Sequence, residues 1–110
     1  MAKNKRALES EFQRKLIEDL QTMFPDALIY KNETKQGFPD LTVLYKERWA
    51  LLECKREENA SHRPNQDYYV NLANQMSFSR FVYPENKQEV LNELQQAFRT
   101  ERQACDSESE

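Results

Sequence analysis

The chain has 110 residues and a formal net charge of -3, with 32% charged and 38% hydrophobic residues. A chain of this size buries roughly two-thirds of its unfolded surface, so we expect one domain that folds without metal or disulfide support. No run approaches the roughly 18 apolar residues that span a bilayer, and no secretory signal opens the sequence, so we expect a cytoplasmic, reducing compartment and no membrane.

Cysteine usage excludes a disulfide framework and a zinc site of the usual kind. The two cysteines, Cys54 and Cys105, belong to no CxxC pair and to no Cys/His set with zinc-ligand spacing. The mildly acidic balance also gives no general attraction to nucleic acid. A nucleic-acid function therefore has to rest on a local site.

The first part of the chain predicts a helix that follows a flexible basic lead-in at residues 1–7. From Leu8 onward, apolar residues recur at steps of three or four, which places one face of a helix in a core. Pro25 disfavours helical backbone in the residue before it. The helix should therefore span about 8–24.

Two β-rich runs, residues 40–45 and 49–55, are joined by a short charged turn and predict a hairpin. In the second run, Leu51, Glu53 and Lys55 point to the same side of the strand. That face changes from apolar to ionisable halfway along. Such a change is unusual because a buried charge needs a partner or a metal.

The remaining pattern completes an α/β (α+β) fold. Further elements are predicted as a strand at 27–31, a helix at about 65–76, a strand at 79–83, a helix from about 87 to 98, and a disordered acidic tail at 103–110. The order of helix, strand, hairpin, helix, strand and helix implies a mixed sheet flanked by helices. We expect a single domain over residues 8–102.

Two carboxylates are the most informative feature of the sequence. Asp40 opens the first hairpin strand and Glu53 lies near the end of the second, so antiparallel pairing can bring them side by side. Adjacent carboxylates repel unless a proton or a cation lies between them, and Mg²⁺ takes oxygen ligands of this kind. Lys55 points from the same face, where it can orient an attacking water or stabilise charge on a phosphate. The alternative is a turn-capping Asp40 and an ordinary surface ion pair between Glu53 and Lys55.

This arrangement resembles the PD-(D/E)XK nuclease superfamily. The segments 37–41 (GFPDL) and 52–55 (LECK), and Gln66 just past a proline, look similar to the compact VRR-NUC type of nuclease and, more distantly, to archaeal Holliday junction resolvases. The resemblance covers about residues 8–98. It implies a restriction-endonuclease-like α-β-β-β-α-β core, with Mg²⁺ as the cofactor and Mn²⁺ as a substitute.

The resemblance also implies roles for further residues. A glutamate on the first helix would complete the acidic set, with Glu11 as the best positional match and Glu9 and Glu18 as weaker options. Cys54 would offer its main-chain carbonyl to the metal. Gln66 would lie near the metal or hold a water.

Basic residues that flank the site in sequence are candidates for contacts with a nucleic-acid backbone. They are Lys31, Lys35, Arg56 and Arg63. Three acidic residues lie in the tail, so residues 1–105 carry equal numbers of acidic and basic residues. We therefore expect DNA binding that is modest and salt-sensitive.

The sequence thus predicts a Mg²⁺-dependent nuclease that hydrolyses phosphodiester bonds of linear or branched DNA, as a structure-specific or nicking endonuclease of phage or bacterial origin. A small nuclease that cuts both strands is most simply built as a homodimer. Two other functions remain open. One is a non-catalytic nucleic-acid-binding module on a nuclease fold, and the other is an interaction protein recruited through the last helix and the acidic tail.

Overall fold

The structure is a computed structural model that describes the backbone of residues 5–33 and 36–108 and the side chains of residues 6–33 and 36–99. Its elements, in chain order, are α1 (Lys5–Met23), β1 (Leu28–Lys31), β2 (Leu41–Tyr45), β3 (Arg48–Cys54), α2 (Gln66–Met76), β4 (Phe78–Val82) and α3 (Lys87–Glu108). They form one α+β domain. Each helix and strand that the sequence predicts is present.

A four-stranded mixed sheet lies at the centre, in the order β1-β2-β3-β4. The first three strands pair antiparallel, and β3 pairs with β4 in parallel. A parallel pair needs a crossover connection, and α2 lies within it. The predicted hairpin is confirmed, since Leu41 pairs with Leu52 and Tyr45 with Arg48. The predicted mixed sheet is confirmed as well.

The main core lies between one face of the sheet and the helices α1 and α3. Alternate residues of β3, namely Ala50, Leu52 and Cys54, point into it and are fully buried. The buried helix residues are Leu16 and Leu20 on α1 and Val90, Leu91, Leu94 and Phe98 on α3. Burial of apolar surface stabilises such a core by roughly 25 cal/mol per Å². The opposite face of β3, which carries Glu53, is covered by α2.

Two boundaries differ by more than one residue from the expected ones. Helix α1 begins at Lys5, inside the expected lead-in of residues 1–7, of which residues 1–4 lie outside the described part of the chain. Helix α3 continues to Glu108, through most of the segment 103–110 for which composition predicts disorder. No glycine or proline follows the last buried residue of α3, and extending an existing helix costs far less than starting one.

The turn that leads into Asp40 depends on the one glycine of the chain. Gly37 has φ of +88°, a conformation that side chains with a Cβ rarely adopt. A Cβ placed there would lie 2.8 Å from the Cβ of Asn65 and 2.8 Å from the carbonyl oxygen of Pro64. The turn therefore packs directly against the residues that precede α2.

We expect the substitution Gly37→Ala to lower the free energy of unfolding by about 1–3 kcal/mol, because alanine is strained at this φ and collides with backbone. Urea unfolding followed by circular dichroism measures the change. The control is Gln36→Ala, an exposed position in the same turn. Equal stability of Gly37→Ala and the control would contradict the close packing of this turn on α2.

Candidate active site

Asp40 and Glu53 meet at one end of the sheet. Because Leu41 pairs with Leu52, the residues next to them, Asp40 and Glu53, face each other across the hairpin. Asp40 Oδ2 accepts a hydrogen bond of 2.9 Å from the backbone N–H of Cys54. The carboxylates line one cleft of about 380 Å³. The structure thus brings together the two acidic residues that the sequence singles out.

Gln66, at the start of α2, connects the acidic part of the cleft to Lys55. Its Nε2 donates to Glu53 Oε2 at 2.8 Å, and its Oε1 accepts from Lys55 Nζ at 2.7 Å and from the backbone N–H of Arg63 at 2.8 Å. Lys55 Nζ also donates to the carbonyl oxygen of Ser61 at 3.0 Å. These contacts hold the Lys55 ammonium through neutral oxygens, so it is not neutralised by a direct ion pair with Glu53.

Glu53 keeps one oxygen without a partner. Its side chain is 4% exposed, and Oε1 forms no hydrogen bond within the described part of the chain. An unsatisfied buried polar atom costs about 1–3 kcal/mol, and more for a charged group. A carboxylate in this position is suited to bind a cation that enters the cleft.

Burial raises the pKa of three carboxyl groups that line the cleft, those of Glu53, Asp40 and Glu9. It raises the pKa of Glu53 to about 8, and the nearby charge of Asp40 adds to the rise while Lys55 opposes it. It raises the pKa of Asp40 as well, against the effect of the hydrogen bond from Cys54. The pKa of Glu9 is raised by burial too. Without a cation, Glu53 therefore retains its proton at neutral pH.

The acidic residue that α1 contributes is Glu9. It is half-buried and lines the cleft, whereas Glu11 is exposed and lines a separate surface pocket. Residues that are two positions apart on an α-helix point in directions about 200° apart. The side chains of Glu9 and Glu11 therefore cannot face the same cleft. The structure therefore brings Glu9 to this cleft and does not bring Glu11, the residue that the resemblance favoured. Glu18 lies on the surface in an ion pair with Arg14.

The sequence contains a signal that leads to Glu9. Leu16 is fully buried in the core, and Glu9 lies seven residues before it, which is close to two helix turns. Counting back along the buried face would have favoured Glu9.

The sequence analysis also missed Asn32. Its side chain donates to the carbonyl oxygen of Pro39 at 3.0 Å, and its backbone N–H donates to the carbonyl oxygen of Asp40 at 2.7 Å. It thereby fixes the backbone that carries Asp40.

The basic residues are only partly gathered at the cleft. Arg63 lines it, and Lys31, at the end of β1, is close enough to oppose the burial-driven rise in the pKa of Asp40. Arg56 lies in a neighbouring cleft. Lys35 lies outside the described residues. The Cys54 side chain is buried in the core, so this residue can contribute only its main chain to the site.

The donor set determines which metal the site could hold. Among the side chains that the structure describes, those of residues 6–33 and 36–99, no group of three or more His, Cys, Asp or Glu is placed to hold a metal ion. The oxygen donors that face each other in this cleft are the carboxylates of Asp40 and Glu53, so a cation held here would have at most this pair and the waters or substrate oxygens around it. Mg²⁺ is commonly held through one or two carboxylates and completes its shell with waters and substrate oxygens. An all-oxygen pair with an unpartnered buried atom fits this hard cation.

Comparisons with protein-family models, with curated proteins and with solved structures give no match for this chain. None of the helices in the described part of the chain has the length and apolar character needed to cross a membrane.

In the presence of a chelator, we expect Glu53→Gln to stabilise the protein at pH 8.5 and to have little effect at pH 5. Between the unfolded pKa of 4.5 and the folded pKa of about 8, the folded protein holds a proton that the unfolded chain has released. Wild-type stability therefore falls as pH rises through this range. Glutamine avoids this loss, which is on the order of 2–4 kcal/mol. Urea unfolding in EDTA measures it.

Glu11→Gln is the control for that experiment, since it removes an exposed carboxylate of the same type. Its stability should follow the wild-type pH dependence. Parallel curves for wild type and Glu53→Gln from pH 5 to pH 8.5 would show that Glu53 is not a buried, uncompensated carboxyl group.

Proposed function

We propose that this chain is a Mg²⁺-dependent nuclease of the PD-(D/E)XK type, which hydrolyses DNA phosphodiester bonds. The observation that carries the proposal is the unpartnered buried oxygen of Glu53, beside a second carboxylate and a buried ammonium. A purely structural ion pair would bring Lys55 and Glu53 into direct contact, since that is how buried charges are compensated. Here the Gln66 amide lies between them and leaves the Glu53 carboxyl group and the Lys55 ammonium both available to ligands.

Asp40 and Glu53 are the residues that would hold the metal, and Glu9 is the carboxylate that α1 contributes to the same cleft. When bound, Mg²⁺ supplies Lewis-acid stabilisation of phosphate charge and lowers the pKa of a coordinated water. Mn²⁺ also accepts carboxylate oxygens and would substitute for it. The main-chain carbonyl of Cys54 as a further ligand stays a prediction.

Lys55 acts on the water and the phosphate. Its ammonium carries three N–H donors, and Ser61 and Gln66 accept two hydrogen bonds from it. The remaining donor is available to an attacking water or to a phosphoryl oxygen, where the positive charge stabilises the negative charge that builds up. Gln66 is a positioning residue, because it fixes the ammonium without neutralising it.

The substrate class follows from the same charges. A polyanion brings the phosphate that the metal and Lys55 require. Arg63 lines the cleft and Lys31 acts electrostatically on Asp40, so both are candidates for contacts with neighbouring backbone phosphates. Equal numbers of acidic and basic residues before the tail favour modest affinity that decreases with salt. Linear and branched DNA are both candidate substrates.

We expect cleavage of DNA to require divalent metal and to fall at least about 100-fold in Asp40→Asn and in Lys55→Met. Asparagine can still accept the hydrogen bond from Cys54 N–H, and methionine retains most of the lysine volume, so the fold should survive. A panel of labelled linear, flapped and four-way-junction DNA, with Mg²⁺ or with EDTA, measures the rates. Circular dichroism checks that each variant is folded.

The matched control is Lys15→Met, which removes an exposed lysine of α1 and should cleave at the wild-type rate. Full cleavage in EDTA by homogeneous wild-type protein would exclude the proposed mechanism. DNA binding without turnover in Mg²⁺ or Mn²⁺ would favour the non-catalytic binding module instead.

Glu9→Gln and Glu11→Gln form a second matched pair on one helix. We expect Glu9→Gln to lower activity about 10- to 100-fold and to raise the Mg²⁺ concentration needed for half-maximal rate, because Glu9 lines the cleft. Glu11→Gln should behave like wild type. The opposite result, with loss of activity only in Glu11→Gln, would reverse the assignment. Initial rates over a Mg²⁺ titration provide the measurement.

Two expectations about partners stay predictions. Pairing of two copies would give a dimer mass in light scattering at working concentration. Recruitment of a protein through the acidic tail concerns side chains that lie outside the described part of the chain.

A further inference from the structure

A second cleft lies directly beside the first and has the opposite charge. Its volume is about 300 Å³, and the two clefts share Glu9, Lys55 and Arg63 as a common wall. On its far side the second cleft is lined by Arg6 and Arg56. Arg6 comes from the first turn of α1, and Arg56 follows β3 closely, so both arginines sit on elements that also build the first cleft.

The division of charge between the two clefts is marked. Glu33, Asp40 and Glu53 line only the first cleft, whereas Arg6 and Arg56 line only the second. The second cleft therefore has no carboxylate of its own among the described residues that line it, apart from the shared Glu9. An acidic cleft and a basic cleft thus lie side by side across one wall.

Lys55 connects the two clefts. Its Nζ donates to the carbonyl oxygen of Ser61, which lines the second cleft, and to Oε1 of Gln66, which lines the first. The ammonium is therefore held in the wall itself. An anion in either cleft lies within its field.

Arg56 is held loosely enough to take a ligand. Its guanidinium forms an ion pair with Glu57 at 3.4 Å, and its side chain is 23% exposed while that of Glu57 is 51% exposed. Exposed ion pairs contribute only about 0–1 kcal/mol, so a phosphate can replace Glu57 at little cost. Arginine binds phosphate oxygens with two parallel hydrogen bonds, which favours a phosphate over a simple halide.

We propose that the second cleft binds the backbone phosphate adjacent to the one that is cleaved, in the same strand. This inference rests on the proposed nuclease function, because it takes the first cleft as the place of the scissile phosphate. A single strand then crosses the wall over Lys55, with one phosphate on each side. The substrate is accordingly a polynucleotide with at least two successive phosphates, and cleavage depends on the charge of both.

The first arm of the test measures binding in EDTA, where no cleavage occurs. The variant is Arg6→Gln with Arg56→Gln, and the control is Arg14→Gln with Lys15→Gln, which removes two positive charges from the exposed side of α1. The probe is a fluorescent single-stranded oligonucleotide, followed by anisotropy over a salt series. Each lost phosphate contact lowers the slope of log K against log salt by about 0.7 for single strands. We expect that change in the variant and not in the control.

The second arm measures cleavage of trinucleotides in Mg²⁺. In each trinucleotide one linkage is a natural phosphodiester and the other is a neutral methylphosphonate. The two isomers carry the methylphosphonate on the 5′ or on the 3′ side of the natural linkage, which is the only linkage that can be cleaved. We expect wild type and control to cleave one isomer about tenfold less efficiently than the all-natural trinucleotide, which corresponds to one lost charge-assisted contact. The variant should cleave both isomers with equal efficiency.

The outcomes separate the two proposals. Equal salt slopes for wild type, variant and control would overturn the second phosphate site. The second phosphate site would also be overturned if the Arg6→Gln, Arg56→Gln variant kept the wild-type preference between the two methylphosphonate isomers. If no protein cleaves any probe, the proposed nuclease function fails, and the proposed adjacency of the two phosphates fails with it. The binding arm then still reports whether the arginine cleft holds a phosphate. Melting temperatures of variant and control within a degree or two of wild type establish that both are folded.

Discussion

One side-chain amide, that of Gln66, joins the two buried ionisable groups on which the rest of the site depends, Glu53 and Lys55. Its Nε2 donates to Glu53 and its Oε1 accepts from Lys55, so a carboxyl group and an ammonium remain buried without neutralising each other. The fold is arranged around this contact. The hairpin sets Glu53 opposite Asp40, Gln66 opens the crossover helix, and the turn at Gly37 packs against the residues just before that helix.

Burying these groups lowers the stability of the fold when no ligand is bound, and a bound ligand would offset that loss. Burial raises the pKa of Glu53 to about 8, so at neutral pH a proton occupies the place that a cation would take. A ligand that binds only the folded state stabilises it by mass action, about 2.7 kcal/mol at a concentration 100 times its dissociation constant. The proposed function therefore links stability to activity: the groups that weaken the metal-free fold are those that we propose to bind metal and phosphate.

The sequence was sufficient to predict the helices and strands whose apolar residues follow a local, periodic pattern. Alternation along β3 and a short turn predicted the hairpin, and hence the meeting of two carboxylates, because strand periodicity and hairpin pairing are both local. The acidic residue of α1 depends on which helix face meets the sheet, and this is set by tertiary packing. Glu11 was therefore favoured although Glu9 shares the face of Leu16. The second cleft forms between the first turn of α1, which carries Arg6, and the irregular loop after β3, for which the sequence has no periodic signal.

The most direct test is a ¹³C NMR titration of the Glu53 side-chain carboxyl carbon, with and without Mg²⁺. Without metal, we expect the Glu53 resonance to titrate with a pKa of about 8, since it is buried beside Asp40 and has an unpartnered oxygen. With saturating Mg²⁺, the same carboxyl group should stay ionised down to pH values well below its ordinary pKa. A midpoint near 4.5 that Mg²⁺ does not move would show that Glu53 is an ordinary carboxylate, and the account of this site would be wrong.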